Sequence, residues 1–273
     1  MIDDARGRID YEECGAGPTV VLVPGSCSTG AVWRPMIESW SGRFRCVTTS
    51  LLGYGRTAER RSAADTSIEH EAEAVEAVIR RAGGPVHLVG HSFGGLVGVA
   101  VALRKQVPLA GLAVLEAPAM QLLRERDDDA EHYRAFRAMN EVYFGAFERG
   151  EREAVATMID FYGGAGTYAS WPARVRAYAE ETTAVNILDW ASAYAFPLTA
   201  EALSAIDLPT LVVWGGASNP AAQRANARLG QSIRGAATAT VDGAAHFMIS
   251  THAGEVARLV AGHIGGVEAQ RGL

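Results

Sequence analysis

Short apolar runs alternate with amphipathic stretches along most of this chain, and the alternation predicts strands separated by helices. Thr19-Val20-Val21-Leu22-Val23 is apolar at every second and every intervening position and stops at Pro24-Gly25. Such a run fits a strand buried on both faces of a parallel sheet. Arg45-Cys46-Val47-Thr48-Thr49, ahead of Gly53-Tyr54-Gly55, predicts a second strand. Asp65-Thr66-Ser67 supplies a helix start, and Ala72, Val75, Val78 and Ile79 recur at helical spacing through Ile68 to Arg81, where Gly83-Gly84-Pro85 ends the pattern. A strand at Val86–Val89, a helix from Phe93 to about Arg104, and strands at Leu109–Leu115, Leu208–Trp214 and Thr238–Val241 follow, before a closing helix near Gly254 to Ile264. Strands joined through helices of this length predict an α/β fold: a mostly parallel central sheet flanked by helices, with right-handed crossovers.

The rhythm breaks between Pro118 and Ala205. That segment is rich in Glu, Arg, Ala, Tyr and Phe, carries helical patterning, and is interrupted at Gly163-Gly164 and Trp171-Pro172. It lacks the Pro, Ser and Gly density of a flexible spacer, so it reads as a helical insertion. Residues 1–117 and 206–273 then form one core and residues 118–205 a helical subdomain. The total of 273 residues suits that arrangement.

Composition narrows the function classes. A hydrophobic fraction of 48% with 21% charged residues is ordinary for a globular chain. The net charge of −6, without a Lys/Arg cluster able to follow a phosphate backbone, excludes nucleic acid as the natural partner. The apolar stretch Gly94 to Leu103 is far shorter than the roughly 20 residues a membrane span requires. The acidic start Met1-Ile2-Asp3-Asp4 has no signal-peptide pattern, and a cytoplasmic protein is expected. Cys14, Cys27 and Cys46 are odd in number and lack C-x-x-C spacing, which points to reduced thiols.

The chemistry concentrates at Gly90-His91-Ser92-Phe93-Gly94, a G-x-S-x-G sequence between a predicted strand and a predicted helix. In that context the serine sits on a strained turn, and flanking glycines are required because side chains would collide with the neighbouring strand and helix. A serine hydroxyl is a weak nucleophile at neutral pH and needs a base, itself oriented by an acid. Of the seven histidines, His91 lies inside the turn, while His70, His87 and His132 lie outside the region after the last strand. His252 and His263 fall on the following helix, where surface positions are expected. His246, in Val241-Asp242-Gly243-Ala244-Ala245-His246-Phe247, follows the last predicted strand and can return to the carboxyl edge of the sheet.

Leu22-Val23-Pro24-Gly25, Gly53-Tyr54-Gly55, the serine turn, Pro209-Thr210-Leu211-Val212-Val213-Trp214-Gly215 and Gly243-Ala244-Ala245-His246-Phe247 together resemble the α/β-hydrolase superfamily. The resemblance covers roughly residues 8 to 117 and 206 to 268. It implies that Ser92 is the nucleophile, His246 the general base, and residues 118–205 a cap over the site. It also implies two backbone oxyanion donors, the amides of Phe93 and, by position, Ser26. Where the family commonly has His-Gly, this chain has Pro24-Gly25, which reshapes the floor beside Ser26 and Cys27.

A larger departure concerns the acid. Relatives usually carry an aspartate shortly after the Trp-Gly equivalent, yet Trp214-Gly215-Gly216-Ala217-Ser218-Asn219-Pro220 contains no carboxylate. Some members place the acid one strand earlier, and here Leu112-Ala113-Val114-Leu115 runs directly into Glu116. Neighbouring parallel strands lie about 4.8 Å apart, so either strand end can reach the same histidine. Glu116 is the leading candidate and Asp242 the runner-up. Asp189, in the insertion, ranks below both, and Asp207 precedes a strand at its wrong end.

The resemblance implies hydrolysis of a small carboxylic ester or lactone through an acyl-enzyme, without a metal or organic cofactor, by a monomer or homodimer. Haloalkane dehalogenases of this fold use an aspartate nucleophile, which Ser92 replaces. Carbon–carbon bond hydrolysis of a diketone, and a ligand-binding role with little turnover, stay open as alternatives. Aromatic residues between Tyr143 and Phe196 are expected to pack the insertion together. Trp190, with Cys27, is expected to line a pocket for an apolar or aromatic substrate.

Overall fold

The computed structural model describes residues 1–272. A two-stranded hairpin, β1 (Ile2–Asp4) and β2 (Gly7–Ile9), stands outside the main sheet. The main sheet holds seven strands: β3 (Glu12–Cys14), β4 (Thr19–Val23), β5 (Arg45–Thr48), β6 (Val86–His91), β7 (Leu109–Leu115), β8 (Thr210–Gly215) and β9 (Ala237–Val241), in the spatial order β3-β5-β4-β6-β7-β8-β9. All neighbours pair in parallel except β3, which runs antiparallel to β5 at the edge. The sequence pattern predicted neither β1–β2 nor β3. Glu12-Glu13-Cys14 is exposed throughout and has no apolar side to register a strand.

The continuous apolar runs are explained by helices on both faces. In β4, Val21 and Val23 pack into one layer with α2 (Glu69–Ala82) and α3 (Phe93–Arg104), while Val20 and Leu22 pack into the opposite layer with α1 (Arg34–Ser39). Consecutive strand side chains point to opposite faces, so a strand buried on both needs no polar alternation. The helix predicted from Ile68 forms with Ile68 as its N-cap.

Between β7 and β8 the insertion forms α4 (Ala130–Glu148), α5 (Val155–Gly163), α6 (Thr167–Ser170), α7 (Ala173–Glu181), α8 (Thr183–Ala195) and α9 (Ala200–Leu203). The core resumes with α10 (Pro220–Ser232) between β8 and β9. It ends with α11 (Met248–Thr251) and α12 (Ala253–Arg271), which runs past the predicted end at Ile264. Met139, Tyr143 and Trp190 of the insertion join the same apolar layer as α3 and β7, so the insertion packs onto the sheet's own core. Among the described residues, no helix is long and apolar enough to cross a membrane.

The strand order sets the location of the site. From β4 the chain leaves to one side toward β5 and later returns to β6 on the other side, sending α1 and α3 to opposite faces. Loops that diverge in this way open a crevice at the carboxyl ends of the strands.

Candidate active site

Ser92 sits in that crevice, between β6 and α3, at φ 53° and ψ −129°. A left-handed φ is costly for a residue with a side chain and persists where the surroundings impose it. Gly90 and Gly94 show how tight the turn is. A Cβ on Gly90 would lie 2.3 Å from the Gly94 carbonyl oxygen, and one on Gly94 would lie 2.2 Å from that of Pro24. Among the described residues five non-glycine positions have positive φ, and three of them, Cys27, Ser92 and Glu116, belong to this site, so the backbone strain concentrates there.

Three side chains from separate parts of the sequence form one hydrogen-bonded chain. The Ser92 hydroxyl lies 2.9 Å from His246 Nε2, and His246 Nδ1 lies 2.9 Å from Glu116 Oε1. The carboxylate can only accept, which places the imidazole proton on Nδ1 and leaves Nε2 to accept from serine. The other carboxylate oxygen, Glu116 Oε2, accepts from the Gly215 amide at 2.8 Å and the Ser218 hydroxyl at 2.7 Å. Burial opposes ionisation of Glu116, but the bonds from His246, Gly215 and Ser218 outweigh it and hold its pKa below the usual glutamate value. Backbone geometry supports the arrangement: Leu115 is in register with Val213, and the Glu116 amide donates to the Val213 carbonyl at 2.7 Å.

His91 backs the relay. Its Nε2 donates to the His246 carbonyl at 2.9 Å, and the two rings lie 4.9 Å apart. Burial, and then the neighbouring His246, lower its pKa to about 3, so it stays neutral.

Ser92 opens onto a cavity of about 320 Å³. Its core side carries Ser26, Cys27 and Val32; its insertion side carries Met158, Tyr162 and Trp190. The loop after β4 presses against the serine: a Cβ on Gly25 would lie 2.7 Å from Ser92 Cβ. Phe93 is the first residue of α3, where helix geometry leaves the amide without an internal acceptor. Cys27 lines the cavity as a neutral thiol, because burial, and then the Asp189 carboxylate, push its pKa up to about 12.

A family model described as "Alpha/beta hydrolase family" matches residues 20–259. The chain belongs to the alpha/beta hydrolase family. This alpha/beta hydrolase is 31% identical over 113 residues to haloalkane dehalogenase 2 of Mycobacterium tuberculosis, a match covering 41% of the chain and 39% of that protein. The chain thus matches well under half the length of that curated relative. Among solved structures, a thermophilic esterase from Thermogutta terrifontis aligns with a TM-score of 0.73 at 21% identity, covering 95% of this chain and 93% of the other. Est816, described as an N-acyl homoserine lactone degrading enzyme, aligns with a TM-score of 0.75 at 19% identity, covering 96% and 98%. At these identities the two structures share the fold.

The remaining candidate residues of the chain are spread between this cavity and the surface. Asp242 is exposed in the turn after β9, and Asp207 is exposed and pairs with Lys105 at 3.3 Å. Asp189 does point inward from α8, but it bonds Ser26, Tyr54 and Arg61. His252 precedes α12, at its N-cap, and His263 is partly buried near Gly111, so neither matches the expected exposed helix position. Trp190 is 6% exposed; it lines the cavity and also stacks on Tyr162 at 6.2 Å. Sequence reasoning missed Ser218, His91 and Tyr162, whose ring lies 4.6 Å from that of His246. The Trp214–Pro220 segment holds no carboxylate of its own, and the hydroxyl of its Ser218 contacts that of Glu116.

Proposed function

We propose that this alpha/beta hydrolase is a serine hydrolase that cleaves a small carboxylic ester or lactone through an acyl-enzyme. The observation that carries this reading is the chain of hydrogen bonds from Ser92 through His246 to Glu116, opening on a largely apolar cavity. Ser92 Oγ attacks the carbonyl carbon as His246 Nε2 takes its proton. Glu116 keeps the imidazole oriented and stabilises the imidazolium that forms. The amides of Ser26 and Phe93 receive the developing oxyanion. His246 then protonates the departing alkoxide, leaving an ester on Ser92. A water molecule, deprotonated by His246, cleaves that ester and restores the hydroxyl. With a lactone, the departing oxygen stays tethered to the acyl group and leaves as a hydroxy acid.

Residues 118–205 act as a cap in this reading, because α5 and α8 supply one wall of the cavity. The substrate is a small apolar or aromatic acyl compound, matched to walls such as Met158 and Trp190. Similarity to a dehalogenase does not extend to halide displacement. A serine oxygen attacking an alkyl carbon would form an ether, with no carbonyl for water to attack afterwards. Glu116 also weighs against a purely ligand-binding role: the usual acid position is empty, yet the histidine has its carboxylate.

A fluorophosphonate probe tests the reading. Rapid labelling that disappears in Ser92→Ala, together with turnover of aryl esters or lactones by the unaltered protein, is the expected result. Failure to label, or equal labelling of Ser92→Ala, would overturn it.

A further inference from the structure

Asp189 is a buried carboxylate outside the proposed relay, and both of its oxygens are engaged. Oδ1 accepts from the Arg61 guanidinium at 2.7 Å; Oδ2 accepts from the Ser26 hydroxyl at 2.5 Å and the Tyr54 hydroxyl at 2.6 Å. The partners lie 163, 135 and 128 residues away in sequence, and all three belong to the core. Asp189 therefore fastens α8 of the insertion to two core loops at once. One of these loops contains Ser26.

We propose that Asp189 is a positioning residue: through the Ser26 hydroxyl it fixes the backbone amide of Ser26 as an oxyanion donor, so that this donor is in place only while the insertion is docked. The inference rests on the hydrolase reading above. The Ser26 loop needs such an anchor. Cys27, the next residue, is held at φ 56°, a conformation that relaxes unless neighbouring contacts enforce it. On the far side, the Ser28 hydroxyl donates to the Gly25 carbonyl at 2.7 Å and closes the turn on itself. On the near side, Gly25 is packed against Ser92. The bond from Ser26 to Asp189 ties this turn to the insertion through a charged side chain. A hydrogen bond to a carboxylate is shorter and about twice as strong as a neutral one, which suits a restraint.

Asp189 is itself restrained. Arg61 is fully buried and is gripped from its other side by Glu59, whose two oxygens lie 2.9 Å from Nε and 2.8 Å from an Nη atom. Tyr54, from the Gly53-Tyr54-Gly55 turn, holds the same carboxylate oxygen as Ser26, and the Gly55 amide donates to Tyr178 of α7 at 2.9 Å. The turn is thus bonded to α8 and α7 together.

The test compares Ser26→Ala, Ser26→Thr, Asp189→Asn and the double variant Ser26→Ala/Asp189→Asn. Turnover of an aryl ester is expressed per site titrated with fluorophosphonate, and inhibition is measured with a trifluoromethyl ketone, which forms an oxyanion adduct on Ser92. Ser26→Ala and Asp189→Asn should each lower kcat about tenfold, less than the loss of an entire oxyanion donor. KM should change less than twofold, and inhibitor affinity should fall by the same factor as kcat. Ser26→Thr, which keeps the hydroxyl, should recover most of the loss. The double variant should be no worse than the poorer single one, as for two halves of one interaction. Ser26→Ala keeps Asp189 paired with Arg61 and decides the matter by itself if Asp189→Asn does not fold. Unchanged kcat per site and unchanged inhibitor affinity in Ser26→Ala would overturn the inference while leaving the hydrolase reading intact. Absence of Ser92-dependent turnover in the unaltered protein would overturn both.

Discussion

Glu116 Oε1 lies 2.9 Å from His246 Nδ1 across a sequence separation of 130 residues. The contact arises because Glu116 leaves β7 at the carboxyl end of the sheet, beside β8, and the turn after β9 brings His246 back over it. A glutamate one strand earlier thereby fills the position left vacant after Trp214-Gly215.

Replacing Glu116 with Gln removes the charge and keeps the shape. The amide can still accept from Gly215 and Ser218, so the fold should persist, but it no longer stabilises the imidazolium. Turnover should fall by about 10³- to 10⁴-fold, with the unfolding temperature changed by a few degrees at most. Steady-state kinetics beside thermal unfolding would check this, and near-normal turnover would count against the role of Glu116.

The cluster around Arg61 makes a prediction about stability and pH. Glu59, Glu71 and Asp189 all pair with its guanidinium, and burial pushes Glu71 from an ordinary 4.5 up to about 8. The folded state then keeps a proton on Glu71 that the unfolded chain has lost between those two values. Unfolding free energy should therefore fall as pH rises through this interval. Urea unfolding at pH 6 and pH 9 should show a smaller drop for Glu71→Gln than for the unaltered protein. Equal drops would show that Glu71 does not titrate there.

Gly94→Ala probes the turn that presents Ser92. The added Cβ would meet backbone oxygens of Pro24 at 2.2 Å and Val23 at 2.6 Å, and backbone cannot step aside as a side chain can. A loss of about 1–3 kcal/mol, the usual range for forced overpacking, is expected together with weaker fluorophosphonate labelling, since the loop displaced is the one beside Ser92. Chemical denaturation and probe labelling would measure the two effects. Unaltered stability would contradict the geometry.

Trp190→Ala removes an indole shared by the cavity wall and the aromatic packing around Phe136 and Tyr162. A stability cost of about 3–5 kcal/mol is expected for deleting such a side chain. In the surviving folded protein, preference should shift toward bulkier acyl groups. A panel of aryl esters of increasing chain length would reveal the shift, and an unchanged profile would remove Trp190 from the specificity wall.

Residues whose roles are local were legible in advance. Apolar runs marked the parallel strands in the middle of the sheet, because a strand buried on both faces leaves an uninterrupted run such as Val20 to Val23, whereas edge strand β9 is mostly exposed. Gly90-x-Ser92-x-Gly94 marked the turn, because steric exclusion of Cβ acts within a few residues. Exposed β3 carried no such imprint, since its place at the sheet edge depends on hydrogen bonds to β5 and not on its side chains.

The chain by itself determined the α/β architecture, the inserted helices, and the identity of Ser92 and His246 as candidates, all through spacing and residue type. It narrowed the acid to Glu116 with Asp242 as an alternative. Only the tertiary structure decided which of the two meets His246, by bringing the ends of β7 and β8 together beneath that ring and leaving Asp242 in solvent. The same holds for Asp189, which is one helical residue among many until folding sets it against Ser26, Tyr54 and Arg61. Hydrogen bonds between residues more than a hundred positions apart depend on distances that strand order and helix packing create, and no local pattern records them.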